Sequence, residues 1–175
     1  MTVTESPSKK TDVGSVFVSN YPPYSVWDTD TLGRAREALD AAPHPLTPLG
    51  LYMHVPFCRK RCKFCYFRVY VDKNADEVQH YLDSLAREIE LLAEKRAVAE
   101  RLIRFVYFGG GTPSFIAVKH LKGLLDRVKS AVPWKEVEEV TFECEPGTLT
   151  RSKLEAIRAA GVTRLSLGVE HFDDG

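Results

Sequence analysis

Val78, Leu82, Leu85, Ile89 and Leu92 recur at three- and four-residue spacing, the period of one helix face, and predict a long helix over residues 76 to about 101. Val118, Leu121, Leu125 and Val128 repeat the pattern and predict a second helix. Around these helices lie short apolar runs of strand character at 51–57, 103–108, 137–144 and 163–169. The last two flank a short helix with Thr150 as its expected N-cap and Gly161 as its C′ residue. Strands that alternate with helices in this way form βα units, which require a parallel sheet with right-handed crossovers. The expected fold class is therefore α/β. Ligands of such sheets bind at the carboxyl ends of the strands.

Upstream the pattern fails. Residues 1–14 are rich in Ser, Thr and Lys and are expected to form a disordered tail. Residues 15–48 read as an N-terminal arm. Its aromatic patch, from Val16 to Trp27, is too broken by Pro22 and Pro23 for a helix and too apolar for a free linker, so it is expected to pack on the body. A helix is predicted over 31–41, and Pro43, Pro45 and Pro48 then separate the arm from a core domain at 49–175.

Composition narrows the class. With 175 residues, 44% of them hydrophobic, the chain has apolar material for one core. Its 24 basic and 24 acidic residues cancel, which gives no field to steer it toward nucleic acid or an anionic membrane, and neither partner is expected. No apolar stretch approaches the roughly 20 residues that span a bilayer. The first ten residues lack the apolar run of a signal peptide, so a cytoplasmic protein is expected.

The chemistry concentrates at one sheet edge. Three of the four cysteines, Cys58, Cys62 and Cys65, fall within eight residues directly after the first predicted strand. One short loop thus presents three thiolates to a common point. A structural zinc site closes with four ligands, whereas an iron-sulfur cluster held by three cysteines keeps one iron free. Zinc, completed by His54 or Cys144, remains the alternative. The distant Cys144 does not make a secreted disulfide framework with the other three, so reduced thiols are expected and Cys144 reads as a small buried hydrophobe.

The run Gly109 to Pro113 closes strand two, Glu143 and Glu145 close strand three, and Glu170 and His171 close strand four. Without Cβ atoms, the glycines can approach a ligand closely and leave polar backbone groups to pair with it. The Lys-Ser/Thr ending of a phosphate loop is absent. Of Glu143 and Glu145, one is expected to face the site and the other to cap or meet solvent. His54 shares the strand face of Tyr52 by period two and reads as a satisfied strand histidine. Arg59-Lys60-Arg61 reads as a solvated loop that could also meet substrate carboxylates.

The segment Cys-Arg-Lys-Arg-Cys-Lys-Phe-Cys at 58–65, followed about forty residues later by Gly-Gly-Gly-Thr-Pro, resembles the radical S-adenosylmethionine (SAM) superfamily. Within it, the stretches at 51–58, 107–113, 143–146 and 164–172 are similar to the oxygen-independent coproporphyrinogen III oxidase (HemN-like) branch, over roughly residues 49 to 172. The resemblance implies the N-terminal part, about four βα units, of a partial (β/α)6 TIM-like barrel. The chain then reads as a fragment with an exposed sheet edge after strand four.

The same resemblance implies a 4Fe-4S cluster on Cys58, Cys62 and Cys65, with SAM chelating the free iron. It places Phe64 at the adenine and Gly110, Gly111 and Thr112 at the methionine amino end, with Tyr52 and Glu143 as further SAM contacts. Glu170 stands where the porphyrin enzymes carry a Gln near a second SAM. No catalytic residue beyond the cluster is assigned. The implied reaction is reductive SAM cleavage to a 5′-deoxyadenosyl radical by a coproporphyrinogen oxidase-like oxidoreductase of porphyrin and heme metabolism. Its implied partners are a small-molecule substrate such as a tetrapyrrole and an electron donor such as flavodoxin or ferredoxin. One departure is Phe67, since the porphyrin oxidases carry another Cys two residues after the third ligand. Radical C-methyltransferases, cyclopropane-forming enzymes and non-catalytic heme-handling (chaperone-like) proteins share the same core and stay open.

Overall fold

The computed structural model describes residues 28–43, 46–65, 67–99 and 101–169. The 1–14 tail, the aromatic patch at 16–27, Glu170 and His171 lie outside the described residues. The chain divides into two compact units, residues 1–38 and 39–175. Helix α1, Thr29–Asp40, begins two residues before the expected start because Asp28 caps it. The Asp28 carboxylate accepts the Thr31 N–H at 2.8 Å, and the Asp28 N–H donates to the Thr31 hydroxyl at 3.3 Å. Thr31 thereby holds the Asp28 carboxyl below the usual carboxylate range.

The second unit runs β1 (Leu49–Val55), α2 (Ala75–Ala93), α3 (Arg96–Ala99), β2 (Ile103–Gly110), α4 (Val118–Ala131), β3 (Glu139–Cys144), α5 (Arg151–Ala159) and β4 (Arg164–Leu167). All strand pairs are parallel and the spatial order is β1-β2-β3-β4. Each crossover moves one strand over in the same sense, as in a barrel wall. A doubly wound sheet would instead reverse its order at a switch point.

Alternation assigns the two faces of the sheet. Met53, Val55, Val106, Phe108, Val140, Phe142 and Cys144 are buried with Leu82 and Ile89 of α2, Leu121 and Leu125 of α4, and Ile157 of α5. Tyr52, His54, Tyr107 and Glu143 have the opposite parity and line the other face.

The elements start where the chain supplies caps. Asn74 and Glu77 form a reciprocal capping box on α2, at 2.9 and 3.1 Å. Thr150 accepts the Lys153 N–H and starts α5, and Gly161, at φ +91°, follows its C-cap, both as expected. The continuous helix expected to about residue 101 is broken: the Lys95 N–H bonds the Leu92 carbonyl at 3.0 Å, and α3 restarts from Lys95. The apolar period that holds α2 to the core ends at Leu92, and Glu94, Lys95 and Arg96 offer nothing to bury.

Strand limits shift for similar local reasons. Pro56 cannot donate to a ladder, so β1 ends at Val55 and Phe57 keeps only a bridge to Tyr70. β2 extends to Gly110, which pairs with Val55. β3 begins two residues late, and β4 is shorter than expected at both ends.

Within α4, Gly123 has nothing within 4 Å of where a Cβ would stand. Gly123→Ala is expected to stabilise the protein by about 1 kcal/mol, since glycine wastes backbone entropy in a helix interior. A shift of the urea midpoint at constant slope checks it.

Candidate functional site

The loop after β1 is closed at its base. Cys58 N–H donates to the Tyr70 carbonyl at 3.1 Å and Tyr70 N–H to the Pro56 carbonyl at 2.8 Å. A turn then sets the other two thiols: Cys65 N–H donates to the Cys62 carbonyl at 3.1 Å, and Arg61 Nη2 to the Cys65 carbonyl at 3.0 Å. Cys58 is buried, Cys65 half-buried and Cys62 exposed, and all carry free thiols. Burial pushes the Cys58 thiol up from its ordinary pKa, opposed by the Thr112 hydroxyl that donates to its sulfur at 3.5 Å.

The glycine run is sewn to that loop. Gly111 N–H donates to the Val55 carbonyl and Thr112 N–H to the Phe57 carbonyl, both at 2.8 Å. Gly110 N–H donates to Glu143 Oε2 at 3.2 Å. The N–H groups of Gly110, Gly111 and Thr112, part of the polar backbone expected to pair with a ligand, are therefore already engaged inside the protein. The missing side chains are still required. A Cβ on Gly111 would lie 2.8 Å from Cys58 Sγ and 2.8 Å from the Phe57 carbonyl oxygen. Gly110, at φ +123°, occupies backbone space that L residues rarely enter. Behind the run, the buried Lys153 of α5 donates to the Ile116 carbonyl, and burial lowers its pKa.

On the barrel-inner face, Glu143 of β3 uses both oxygens. Oε1 accepts the Tyr107 hydroxyl at 2.6 Å while Oε2 takes the Gly110 amide. That carboxylate raises the Tyr107 pKa, and burial adds to it. Tyr52 stacks on Tyr107 with ring centroids 5.9 Å apart, and its hydroxyl meets His54 Nδ1 at 3.1 Å. Phe64, 67% exposed, lies in the loop between Cys62 and Cys65.

Glu143 and Glu145 do not separate by alternation along the strand: Glu143 faces Tyr107 and the glycine run, and Glu145 is half-exposed. Residues two apart share a strand face, and Glu145 lies just past the end of β3, where it reaches Arg59 of the cysteine loop at 3.9 Å. Arg59 also donates to the Gly147 carbonyl at 3.4 Å. The ion pair is exposed and holds position more than it stabilises.

A single tetrahedral ion gathers its ligands within about 2.3 Å of one point. Among the described residues, no three His, Cys, Asp or Glu side chains do so. Cys144 is buried on the helix-covered face, and His54 Nδ1 meets the Tyr52 hydroxyl at 3.1 Å. A polynuclear cluster asks for something else: each thiolate reaches its own metal at a corner of a larger body. Three soft thiols on one closed loop, beside a side-chain-free backbone, fit that demand.

The sequence pattern of the Radical SAM superfamily matches residues 52–175. The chain belongs to the radical SAM superfamily. The heme chaperone HemW of Escherichia coli is 34% identical over 134 residues, which cover 74% of this chain and 34% of the relative. An oxygen-independent coproporphyrinogen III oxidase of Bradyrhizobium diazoefficiens is 37% identical over 125 residues, covering 71% and 27%. Among solved structures, the coproporphyrinogen III oxidase HemN of Escherichia coli, described as a radical SAM enzyme, superposes with TM-score 0.66 at 30% identity. That match covers 81% of this chain and 32% of the other. This radical SAM chain thus spans about a third of the length of such relatives. Its sheet is the α/β partial-barrel wall of the family, and the family implies a 4Fe-4S cluster and SAM. No described helix of this radical SAM chain is long and apolar enough to cross a membrane.

Tyr107 was not singled out from the sequence. The signal was present: it lies two residues before Gly109, hence on the face that carries Tyr52 and Glu143.

Proposed function

We propose that Cys58, Cys62 and Cys65 hold a 4Fe-4S cluster, and that SAM lies across the carboxyl edge of β1, β2 and β3. The protein would use this pair for an oxygen-independent coproporphyrinogen III oxidase-like step on a tetrapyrrole. The observation that carries the reading is the contact of the loop with the glycine run, where the space of an absent Gly111 side chain borders Cys58 Sγ. When bound, cluster and SAM supply reductive cleavage of the sulfonium S–C5′ bond to methionine and a 5′-deoxyadenosyl radical.

The chain's own residues position and enclose. With the Gly110, Gly111 and Thr112 amides engaged, a ligand ammonium meets this segment through carbonyl oxygens, which accept. Glu143 keeps unused lone pairs for a ligand donor, Tyr52 offers an aromatic face, and Phe64 covers the adenine. Glu170, outside the described residues, is the proposed contact near a second SAM. Tight positioning at a closed edge supplies orientation and keeps water out. The electron comes from a flavodoxin- or ferredoxin-type donor in a reducing compartment such as the cytoplasm, where free thiols persist.

A second reading, a heme-handling protein that keeps the cluster and SAM site without turnover, is favoured by Phe67 in place of the oxidases' extra Cys and by the HemW relatives. Anaerobic incubation of the reduced protein with SAM and, in parallel, coproporphyrinogen III or heme decides between them. Porphyrinogen consumption with matching release of methionine and 5′-deoxyadenosine is expected. Stoichiometric heme retention without SAM consumption would establish the second reading instead.

A further inference from the structure

Tyr107 occupies the middle of the three-strand edge and touches a proposed SAM contact on each side. Its phenol donates to Glu143 Oε1 at 2.6 Å. Its ring stacks against Tyr52, 5.9 Å between centroids and 22° between planes. Phe105 backs the same ring at 6.0 Å. Room for the pair exists because residue 109 is glycine: a Cβ there would lie 2.8 Å from the Tyr107 ring and 2.9 Å from the Tyr52 ring. The β1–β2 register pairs Tyr52 with Tyr107, and the β2–β3 register sets Tyr107 beside Thr141, one pleat before Glu143.

Resting on the reading of Tyr52 and Glu143 as SAM contacts, we infer that Tyr107 is the positioning residue that sets both of them for one ligand. A carboxylate has about four lone-pair directions. Tyr107 and the Gly110 amide fix two of them from within the protein, which locks the carboxylate plane and aims the remaining ones at a donor group of the ligand, an ammonium or a hydroxyl. A phenol suits this task because it brings a strong donor on a rigid ring with no flexible stem, so little entropy is lost when the carboxylate is oriented. Glu143 in turn raises the Tyr107 pKa, which keeps the donor proton in place. The same ring supports the Tyr52 face by stacking. Tyr107 itself need not touch SAM. It acts through its neighbours.

SAM titration of the anaerobically reconstituted protein tests this by calorimetry. Tyr107→Phe keeps the ring and the stacking and removes only the donor, so iron content and melting temperature should stay near native while SAM binding weakens about 10-fold, the scale of a hydrogen bond to a charged group. Glu143→Gln should weaken binding at least as much. The double variant is expected to bind no worse than Glu143→Gln alone, because the phenol acts only through that carboxylate. Native affinity in Tyr107→Phe, or losses that add in the double variant, would overturn the inference while leaving the SAM site standing. Native affinity in Glu143→Gln would remove the reading of Glu143 and the inference with it.

Discussion

Serine at position 58, 62 or 65 is expected to leave a protein that folds but holds no cluster and releases no 5′-deoxyadenosine. Thiolate and alkoxide differ decisively as ligands: a thiol gives up its proton to the metal it coordinates and is soft, while a serine hydroxyl stays protonated and hard. The loop gives no substitute. Its base is closed by the Cys58–Tyr70 and Tyr70–Pro56 backbone bonds, so a fourth residue cannot slide into the vacated place. The only other cysteine, Cys144, is buried on the helix-covered face with its thiol against the Phe142 carbonyl at 3.6 Å. Cys144→Ala is therefore the matched control. It should cost about 1 kcal/mol of stability and leave iron, sulfide and SAM cleavage at native levels. Iron and acid-labile sulfide assays on the four variants check the contrast. Full cluster loading in Cys62→Ser, the most exposed of the three, would count heavily against the ligand assignment.

Gly111→Ala is expected to be nearly as damaging although it removes no ligand. The added Cβ would stand 2.8 Å from both Cys58 Sγ and the Phe57 carbonyl oxygen, and 3.2 Å from the Phe57 carbonyl carbon. Two of these three neighbours are backbone, and they cannot retreat cheaply. The Gly111 amide is fixed to Val55 and the Thr112 amide to Phe57, so moving one strand end breaks the bonds that attach the cysteine loop to the glycine run. Overpacking of this kind costs about 1–3 kcal/mol. Its sharper consequence is displacement of Cys58 Sγ from the position its burial and the Thr112 hydroxyl define. Cluster loading should fall by about 10-fold or more, on the scale of that strain, while far-ultraviolet circular dichroism keeps its native shape. Gly123→Ala, with open space around its Cβ, supplies the control for glycine replacement as such. Equal cluster content in Gly111→Ala and the native chain would show that the close approach is incidental.

The fold was legible because its signals are periodic. A 3.6-residue period along α2 and α4, and short apolar runs between them, are consequences of burying one face, and they survive in any single sequence. The convergence of the cysteine loop, the glycine run and Glu143 on one edge followed from the topology of parallel sheets alone. Element ends were less legible, since they depend on individual residues. Pro56 stops β1 early and Asp28 starts α1 early, each through one or two bonds. The break after Leu92 reflects loss of anything to bury, a condition of the surroundings that the charged residues Glu94 to Arg96 only hint at.

Within the site, the identity of candidates was readable but their hydrogen-bond partners were not. Nothing in the sequence tells that the Gly110, Gly111 and Thr112 amides are consumed by Glu143, Val55 and Phe57. Tyr107 escaped notice because aromatic residues in strands are ordinary core material, and its distinction lies in a 2.6 Å bond to a residue 36 positions away. For Glu143 and Glu145 the strand period offers no ground for opposite faces, since residues two apart share one, and Glu145 lies past the strand's last residue, Cys144.

The central claim is that one iron of a three-cysteine cluster in this chain is open to SAM. Electron paramagnetic resonance of the anaerobically reconstituted, reduced protein, recorded with and without SAM, addresses it directly. About four irons and four sulfides per chain, with a reduced-cluster signal that SAM shifts, is the result the proposed cluster site predicts. A colourless protein that retains zinc, or a cluster whose signal is indifferent to saturating SAM, would contradict it.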